Sequence, residues 1–457
     1  MEKIQKFKSS LSLKLFVVGF LVFILMIPTA MIAILVNERE NRQSDAILEV
    51  SEKWGRKQMI TGPILTVPYK KIYESMVDGN KKRDEVIRYA HFLPESLMVN
   101  GEILPETRQR GIYEVVVYNA DLNINGEFNV PDFSKWEINP EMVMYDKAFL
   151  SLGIPDLRGV KENISLKWNN DELSFIPGIE TNDILSSGVS AGVYIDPNDK
   201  IKYKYELNLV LNGSRDLEFV PIGRTTEVRL ASTWTDPSFQ GSFLPNKYNL
   251  NENGFSADWK ILEINRNFPQ SFLGTMTLDE GTNTAFNKYE EAIQVGGVQS
   301  SSFGVRLLVV ADEYQKTVRA LKYAIMILSL TFLILFFFEA INKKRVHALQ
   351  YILIGLALSL FYVLLLSIAE HLGFDLAYWI SVVATLGLIM FYSKSVFAAW
   401  RPAMIESLIL FFIYSFIFVI LQLKDYALLV GSVGLFVILA VVMYVSRKID
   451  WYNLSEK

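Results

Sequence analysis

Hydrophobic positions follow two different patterns along this chain. Near both ends they form nearly unbroken runs, whereas in the middle they alternate with polar residues. A helix needs about 20 largely apolar residues to cross the hydrocarbon of a bilayer. The first such run, residues 15–36, carries no charge. Five more follow at 323–338, 349–368, 376–392, 404–423 and 426–445, the fifth span of the six containing Glu406 near its start. A cleaved signal peptide is the alternative for the first run, because Lys3, Lys6, Lys8 and Lys14 make a basic leader. Its apolar part is too long for that, and no small-x-small site closes it. Retention as an anchor is expected.

After the first run, Ile47, Val50 and Trp54 recur at helical spacing in a polar stretch, which extends the helix as a stalk. From Pro63 the period becomes two. Tyr203, Tyr205, Leu207, Leu209 and Leu211 alternate with Lys202, Lys204, Glu206 and Asn208, and Leu122 and Ile124 with Asp121, Asn123 and Asn125. Asn100-Gly101, Asn125-Gly126 and Asn212-Gly213 read as turns between such strands. The expected architecture is an α-helical transmembrane bundle of six spans plus a large, mostly antiparallel, sandwich-like β domain. Residues 303–310 form its last strand, and 314–322 a basic helical lead-in to the second span. The expected divisions are a leader at 1–14, a first span at 15–36, a stalk at 37–60, one β-rich domain at 61–318 and a five-helix membrane domain at 319–457. Pro28 is a possible kink in the first span.

Loop charge gives direction, since basic residues stay in the cytoplasm. The leader, Lys343-Lys344-Arg345, Lys394 with Arg401, and Arg447, Lys448 and Lys457 fall on one side. Glu370-His371-Leu372-Gly373-Phe374-Asp375 has no Lys or Arg and falls on the other, with Lys424-Asp425. Both termini are therefore expected in the cytoplasm and residues 37–318 outside it. Tyr378-Trp379, Trp400 and Trp451-Tyr452 stand near the ends of spans, where amphipathic rings favour the headgroup layer.

Composition narrows the chemistry. The net charge of -4 gives no reason to expect a nucleic-acid partner. Without cysteine, disulfides, Cys-based zinc sites and thiol chemistry are excluded, and the outer domain must rely on its core. His91, His347 and His371 fall in different expected compartments, and no metal-ligand spacing, calcium loop or phosphate loop occurs. No cofactor is expected, and an ATP-driven pump within the chain is excluded. Gly188-Val189-Ser190-Ala191-Gly192 matches the G-x-S-x-G nucleophile elbow, but no helix is expected after it and the later histidines lie elsewhere. It is read as a flexible loop, and no catalytic residue is assigned.

Ionisable groups near the membrane are costly and so become candidates. Glu339 ends the second span, Glu370 and His371 the third, and Glu406 opens the fifth. Pairing with Lys343-Lys344-Arg345 or Arg401 at the inner interface would account for Glu339 and Glu406. Interfacial solvation and a structural hydrogen bond would account for Glu370-His371, against a proton- or ligand-responsive site.

Several strings point to one family: Gly62-Pro63-Ile64-Leu65-Thr66-Val67-Pro68-Tyr69, Arg110-Gly111-Ile112-Tyr113-Glu114-Val115-Val116-Val117-Tyr118, Pro221-Ile222-Gly223-Arg224-Thr225-Thr226 and Trp234-Thr235-Asp236-Pro237-Ser238-Phe239-Gln240-Gly241-Ser242-Phe243-Leu244-Pro245. Arg319-Ala320-Leu321-Lys322-Tyr323-Ala324, Phe338-Glu339, Gln350-Tyr351 and Leu364-Leu365-Leu366-Ser367-Ile368-Ala369-Glu370-His371 continue the pattern. From the first span to about Tyr392 the chain resembles the CreD family of bacterial inner-membrane proteins. The resemblance implies a periplasmic β domain in a protein linked to envelope integrity, colicin tolerance and β-lactam stress under a two-component regulon. It brings no active site. Expected partners are the lipid bilayer and envelope proteins, glycan or lipid met by the outer domain; oligomeric state is left open. A small transporter or lipid-handling protein is the alternative, and a cell-wall hydrolase resting on Ser190 comes third.

Overall fold

The computed structural model describes residues 11–77, 80–198, 201–275, 301–307, 313–342, 346–423 and 426–447. The basic leader before residue 11, the loop charges at 343–345, 424–425 and beyond 447, the pair Trp451-Tyr452 and the strand end at 308–310 lie outside them. The chain divides into two compact units, one of Met1–Ser44 with Ala311–Lys457 and one of Asp45–Val310.

The first unit is helical. Its elements are α1 (Leu11–Trp54), which continues into the second unit, α2 (Glu313–Lys322), α3 (Ala324–Asn342), α4 (Ala348–Leu372), α5 (Phe374–Phe397), α6 (Trp400–Gln422) and α7 (Ala427–Ser446). Among the described residues five helices are long and apolar enough to cross a bilayer, and the pair Tyr314–Lys322 and Ala324–Glu339, bent by 43°, gives six if it is counted as one span. At that bend the Tyr323 N–H donates to the Ala320 carbonyl, an i to i−3 bond that tightens the turn. Pro28 lies inside α1 without ending it. A single residue, Gly373 at φ 78°, separates α4 from α5, a left-handed conformation that glycine adopts without steric cost. Phe23, Phe436 and Leu428 are largely exposed, as side chains that face acyl tails rather than water can be.

The second unit is a β-sandwich of 17 described strands in two sheets. The nine-stranded sheet runs β13-β17-β11-β1-β5-β9-β8, with β2 joined to β1 and β16 to β2, and the eight-stranded sheet runs β14-β15-β12-β3-β4-β10-β6-β7. Here β1 is Gln58–Val77, β2 Asn80–Phe92, β3 Ser96–Arg110, β4 Tyr113–Phe128, β5 Phe149–Gly153, β6 Ser165–Trp168, β7 Asp171–Ser174 and β8 Ile176–Pro177. Then come β9 Gly188–Gly192, β10 Tyr203–Ser214, β11 Asp216–Phe219, β12 Thr225–Ser232, β13 Pro237–Gly241, β14 Lys247–Asn251, β15 Gly254–Leu262, β16 Ser271–Leu273 and β17 Phe303–Leu307. Pairing is antiparallel except at β1–β11 and β3–β12. The alternation along β10 is realised: Tyr203, Tyr205, Leu207, Leu209 and Leu211 are buried, while Lys204 and Glu206 face out. Both sheets feed one continuous apolar core, which includes Ile64 and Leu152 from one and Leu122 and Leu209 from the other.

The three Asn-Gly pairs are not turns. They lie within β3, β4 and β10, where neighbouring groups occupy the space a side chain would need. A Cβ on Gly126 would lie 1.9 Å from the Ser96 carbonyl oxygen and 2.6 Å from the Tyr205 hydroxyl, and one on Gly213 would lie 2.2 Å from the Tyr118 hydroxyl. Glycine serves close approach here rather than a positive φ. The expected stalk also ends early, since α1 stops at Trp54 and residues 58–60 are already strand. Trp54 packs within the second unit. Its indole N–H donates to the Tyr118 carbonyl at 3.2 Å, and the Arg108 guanidinium lies 4.1 Å from its ring centroid.

Gly126→Ala should destabilise the β domain by about 1–3 kcal/mol through overpacking, read as a lower thermal midpoint of the purified protein. Gly192→Ala, where the new methyl meets nothing within 4 Å, should leave that midpoint unchanged.

Candidate functional site: polar clusters within a helical bundle

The four sequence candidates fall into two groups. Glu370 belongs to a polar cluster where α4 ends, α5 begins and α6 ends. The Tyr314 hydroxyl of α2 donates to Glu370 Oε1 at 3.0 Å, and Arg39 Nε of α1 lies 3.7 Å from the same oxygen. Beside them Arg319 donates to the carbonyls of Leu423 at 2.8 Å and Ile420 at 3.4 Å. Those carbonyls lie at the C-terminus of α6, where acceptors outnumber intrahelical donors and the helix dipole favours a cation. Gln422 donates to Asp375 Oδ1 at 2.6 Å, with Lys316 3.7 Å from that oxygen. Glu370 is therefore held as a structural acceptor between three helices. His371, its neighbour, is exposed.

Glu339, Tyr351, Ser393 and Glu406 come from the end of α3, the start of α4, the end of α5 and the start of α6. The Tyr351 hydroxyl donates to Glu339 Oε2 at 3.2 Å. Glu406 is fully buried, and neither of its carboxyl oxygens has a hydrogen-bond partner. Ser393 of α5 is buried close to it, but no hydrogen bond of good geometry joins the two. Arg401, the expected counter-ion, is exposed, and no ion pair among the described residues joins it to Glu406. The helix explains the miss: positions five apart point to different sides of α6. Farther along the bundle, Tyr362, Tyr378 and Tyr414 are all buried. Tyr378 donates to the Tyr414 carbonyl at 2.7 Å, while the hydroxyls of Tyr362 and Tyr414 have no partner.

In the β domain, Ser190 sits in the middle of β9, buried, with its hydroxyl donating to the Gly178 carbonyl at 2.9 Å. The G-x-S-x-G string is thus a strand, not the flexible loop expected. β5 pairs along its full length and fixes it there. A different triad, which the sequence did not reveal, lies nearby. His91 is fully buried, with Nε2 3.3 Å from Asp183 Oδ2 and Nδ1 3.0 Å from Thr66 Oγ1. A carboxylate only accepts, so Nε2 carries the proton and Nδ1 accepts from the Thr66 hydroxyl. Burial lowers the His91 pKa below the ordinary 6.5 and outweighs the pull of Asp183 in the other direction. Thr66 is buried, and Phe272 lies 5.2 Å from the imidazole centroid. This enclosure ties β1 and β2 to the Asp183 loop. Thr66 and His91 are register partners, 25 residues apart, across the β1–β2 hairpin, but Asp183 is remote in sequence.

The same domain carries an open groove of about 570 Å³. Tyr194 and the half-buried Tyr89 supply its aromatic surface above the buried Phe149 and Trp168, and Asp146, Lys147 and Asp171 supply charge. Trp168 is stacked on Tyr203 at 5.3 Å and is held rigid, whereas Tyr194 is 67% exposed. Among the described residues no group of three or more His, Asp or Glu side chains is placed to hold a metal ion.

A helical membrane bundle carrying a large two-sheet β domain defines the class of protein. The family model described as Inner membrane protein CreD matches residues 10–452, and the chain belongs to that family. Its relative in Escherichia coli (strain K12), Inner membrane protein CreD, is 34% identical over 439 residues, which is 95% of this chain and 92% of the relative. Solved structures with local similarity include an M1 zinc metallopeptidase from Deinococcus radiodurans at TM-score 0.19 and a mutant of it at 0.21. Each is 7% identical and covers 37% of this chain and 38% of its own. At that level the likeness carries no argument.

Glu370→Ala should lower the stability of the detergent-solubilised protein by about 1–3 kcal/mol, the cost of leaving its part-buried donors without their acceptor. Glu370→Gln should cost less, and Tyr314→Phe should add little once Glu370 is gone, which a double-mutant thermal unfolding cycle measures. Because His91 stays neutral below pH 6.5 when folded, the unfolded chain binds more protons there, and stability falls as pH drops through that value. The thermal midpoint of the β domain should therefore fall between pH 7 and 5, with a flatter profile in His91→Gln.

Proposed function

We propose that this chain is a non-enzymatic envelope-integrity protein of the bacterial inner membrane, whose β domain faces the periplasm and binds another envelope component. The observation that carries this reading is the open groove lined by Phe149, Trp168 and Tyr194. Aromatic surface flanked by a few charged groups suits a partner that is partly apolar and partly polar, such as an envelope protein, a glycan or a lipid headgroup region. The family supports the setting, and Ser190 and His91, each enclosed and hydrogen-bonded, give no support to a hydrolase. Loop charge supports a topology with both termini in the cytoplasm and residues 37–318 outside.

The alternative, a small transporter or lipid-handling protein using carboxylates at helix ends, has one observation in its favour: the unpartnered Glu406.

Two experiments test the reading. The chain has no cysteine, so single introduced thiols report topology without background. Glu252→Cys, in the exposed β14–β15 turn, should react with a membrane-impermeant maleimide in intact spheroplasts. Lys457→Cys should react only after lysis, and the reverse pattern would overturn the assigned direction. A photo-crosslinking amino acid at Tyr194 should form adducts in living cells that the same group at Tyr248, exposed on β14 outside the groove, does not. Equal yields at both positions would remove the groove as the binding surface.

A further inference from the structure

Glu406 lies in the second turn of α6, six residues or about 9 Å along the axis from Trp400. It is fully enclosed, and both carboxyl oxygens lack a partner. The groups that could meet it can be named helix by helix. α5 contributes Ser393, and the neighbouring Lys394 ammonium is turned to the Trp400 ring at 4.1 Å. α4 contributes Tyr351, whose hydroxyl is given to Glu339. α3 contributes Glu339, bonded to that same hydroxyl. Where α7 lines a cavity with α6 and α3, it contributes only apolar Val437, Ile438, Val441 and Val442. On α6 itself Arg401 points to the exposed side. No cation among these reaches Glu406.

A carboxylate with no counter-ion and no well-formed hydrogen bond among the described residues is very costly in such surroundings, and the group neutralises by taking a proton. The opposite possibility, a bound metal cation, needs about six oxygen ligands, and here one carboxyl and the Ser393 hydroxyl face each other. We propose that Glu406 is a proton-binding site within the helical bundle, protonated while enclosed. This site is independent of whether the β-domain groove binds a partner.

A hydrophobic carbodiimide tests it on the full-length protein in liposomes. The reagent takes the proton of a carboxylic acid, the carboxylate adds to its central carbon, and rearrangement leaves a stable N-acylurea with no leaving group. Mass spectrometry should place the adduct on Glu406, with Glu370, which is ion-paired, at least about tenfold slower. The rate should fall about tenfold per pH unit once the site has lost its proton, and Glu406→Gln should abolish it. Ser393→Ala, which keeps the acid, should still label but with a shifted pH profile. A wild-type protein that elutes as a single species yet carries no Glu406 adduct at any pH would overturn the proposal. So would protection by sodium or lithium at constant pH, which would make the site a cation site instead.

Discussion

Hydrocarbon does not solvate polar groups, and the helical unit is arranged around that constraint. Each helix end leaves backbone donors or acceptors that water would otherwise satisfy. Arg319 serves the C-terminal carbonyls of α6. At the start of α4, His347 accepts from the Leu349 N–H, while Gln350 reaches back to the His347 N–H, a reciprocal cap. Inside the helices, Thr29, Thr331 and Ser359 return their hydroxyls to carbonyls four residues earlier, which keeps small polar groups silent. Against this background, the few unpartnered atoms are informative: most buried polar groups in a native structure find partners, and those of Glu406, Ser393, Tyr362 and Tyr414 do not.

The β domain meets the opposite solvent and solves a different problem. Without disulfides its stability must come from burial, and a two-sheet core fed by period-two strands provides it. Long central strands make this possible: β4 pairs along its length with both β3 and β10. Glycines at 101, 126 and 213 let side chains of adjacent strands fill the space that their own side chains would have taken. The cost is that each such position tolerates no methyl group without a shift of backbone or a large side chain.

Much of this architecture could be read from the chain. Spans were legible because 20 apolar residues in a row have few other uses, and strands because alternation of the kind seen in β10 requires one wet and one dry face. Asn-Gly misled because the same dipeptide serves a turn, through positive φ, or a crowded strand, through small volume; only neighbours distant in sequence decide which. The bend after Lys322 was visible as a basic lead-in, but its angle was not. For the candidate site, the identities of Glu339, Glu370 and Glu406 were visible and their partners were not. Arg39 and Tyr314 approach Glu370 from helices 331 and 56 residues away in sequence, and no local pattern carries that information. The His91–Asp183 contact spans 92 residues and was hidden for the same reason.

What separates the three carboxylates is therefore not their chemistry but who meets them. Glu370 is bound by a hydroxyl and a guanidinium, and replacing it would leave those groups wanting. Glu339 has the Tyr351 hydroxyl. Glu406 has neither, so nothing in the fold depends on its charge, and an apolar residue of similar size would pack there at lower cost. A buried acid that the structure does not need for holding helices together is more simply explained by the proton it can hold. The same constraint that caps most polar groups in the bundle makes this one stand out, because in hydrocarbon an acid without a partner takes a proton as its partner.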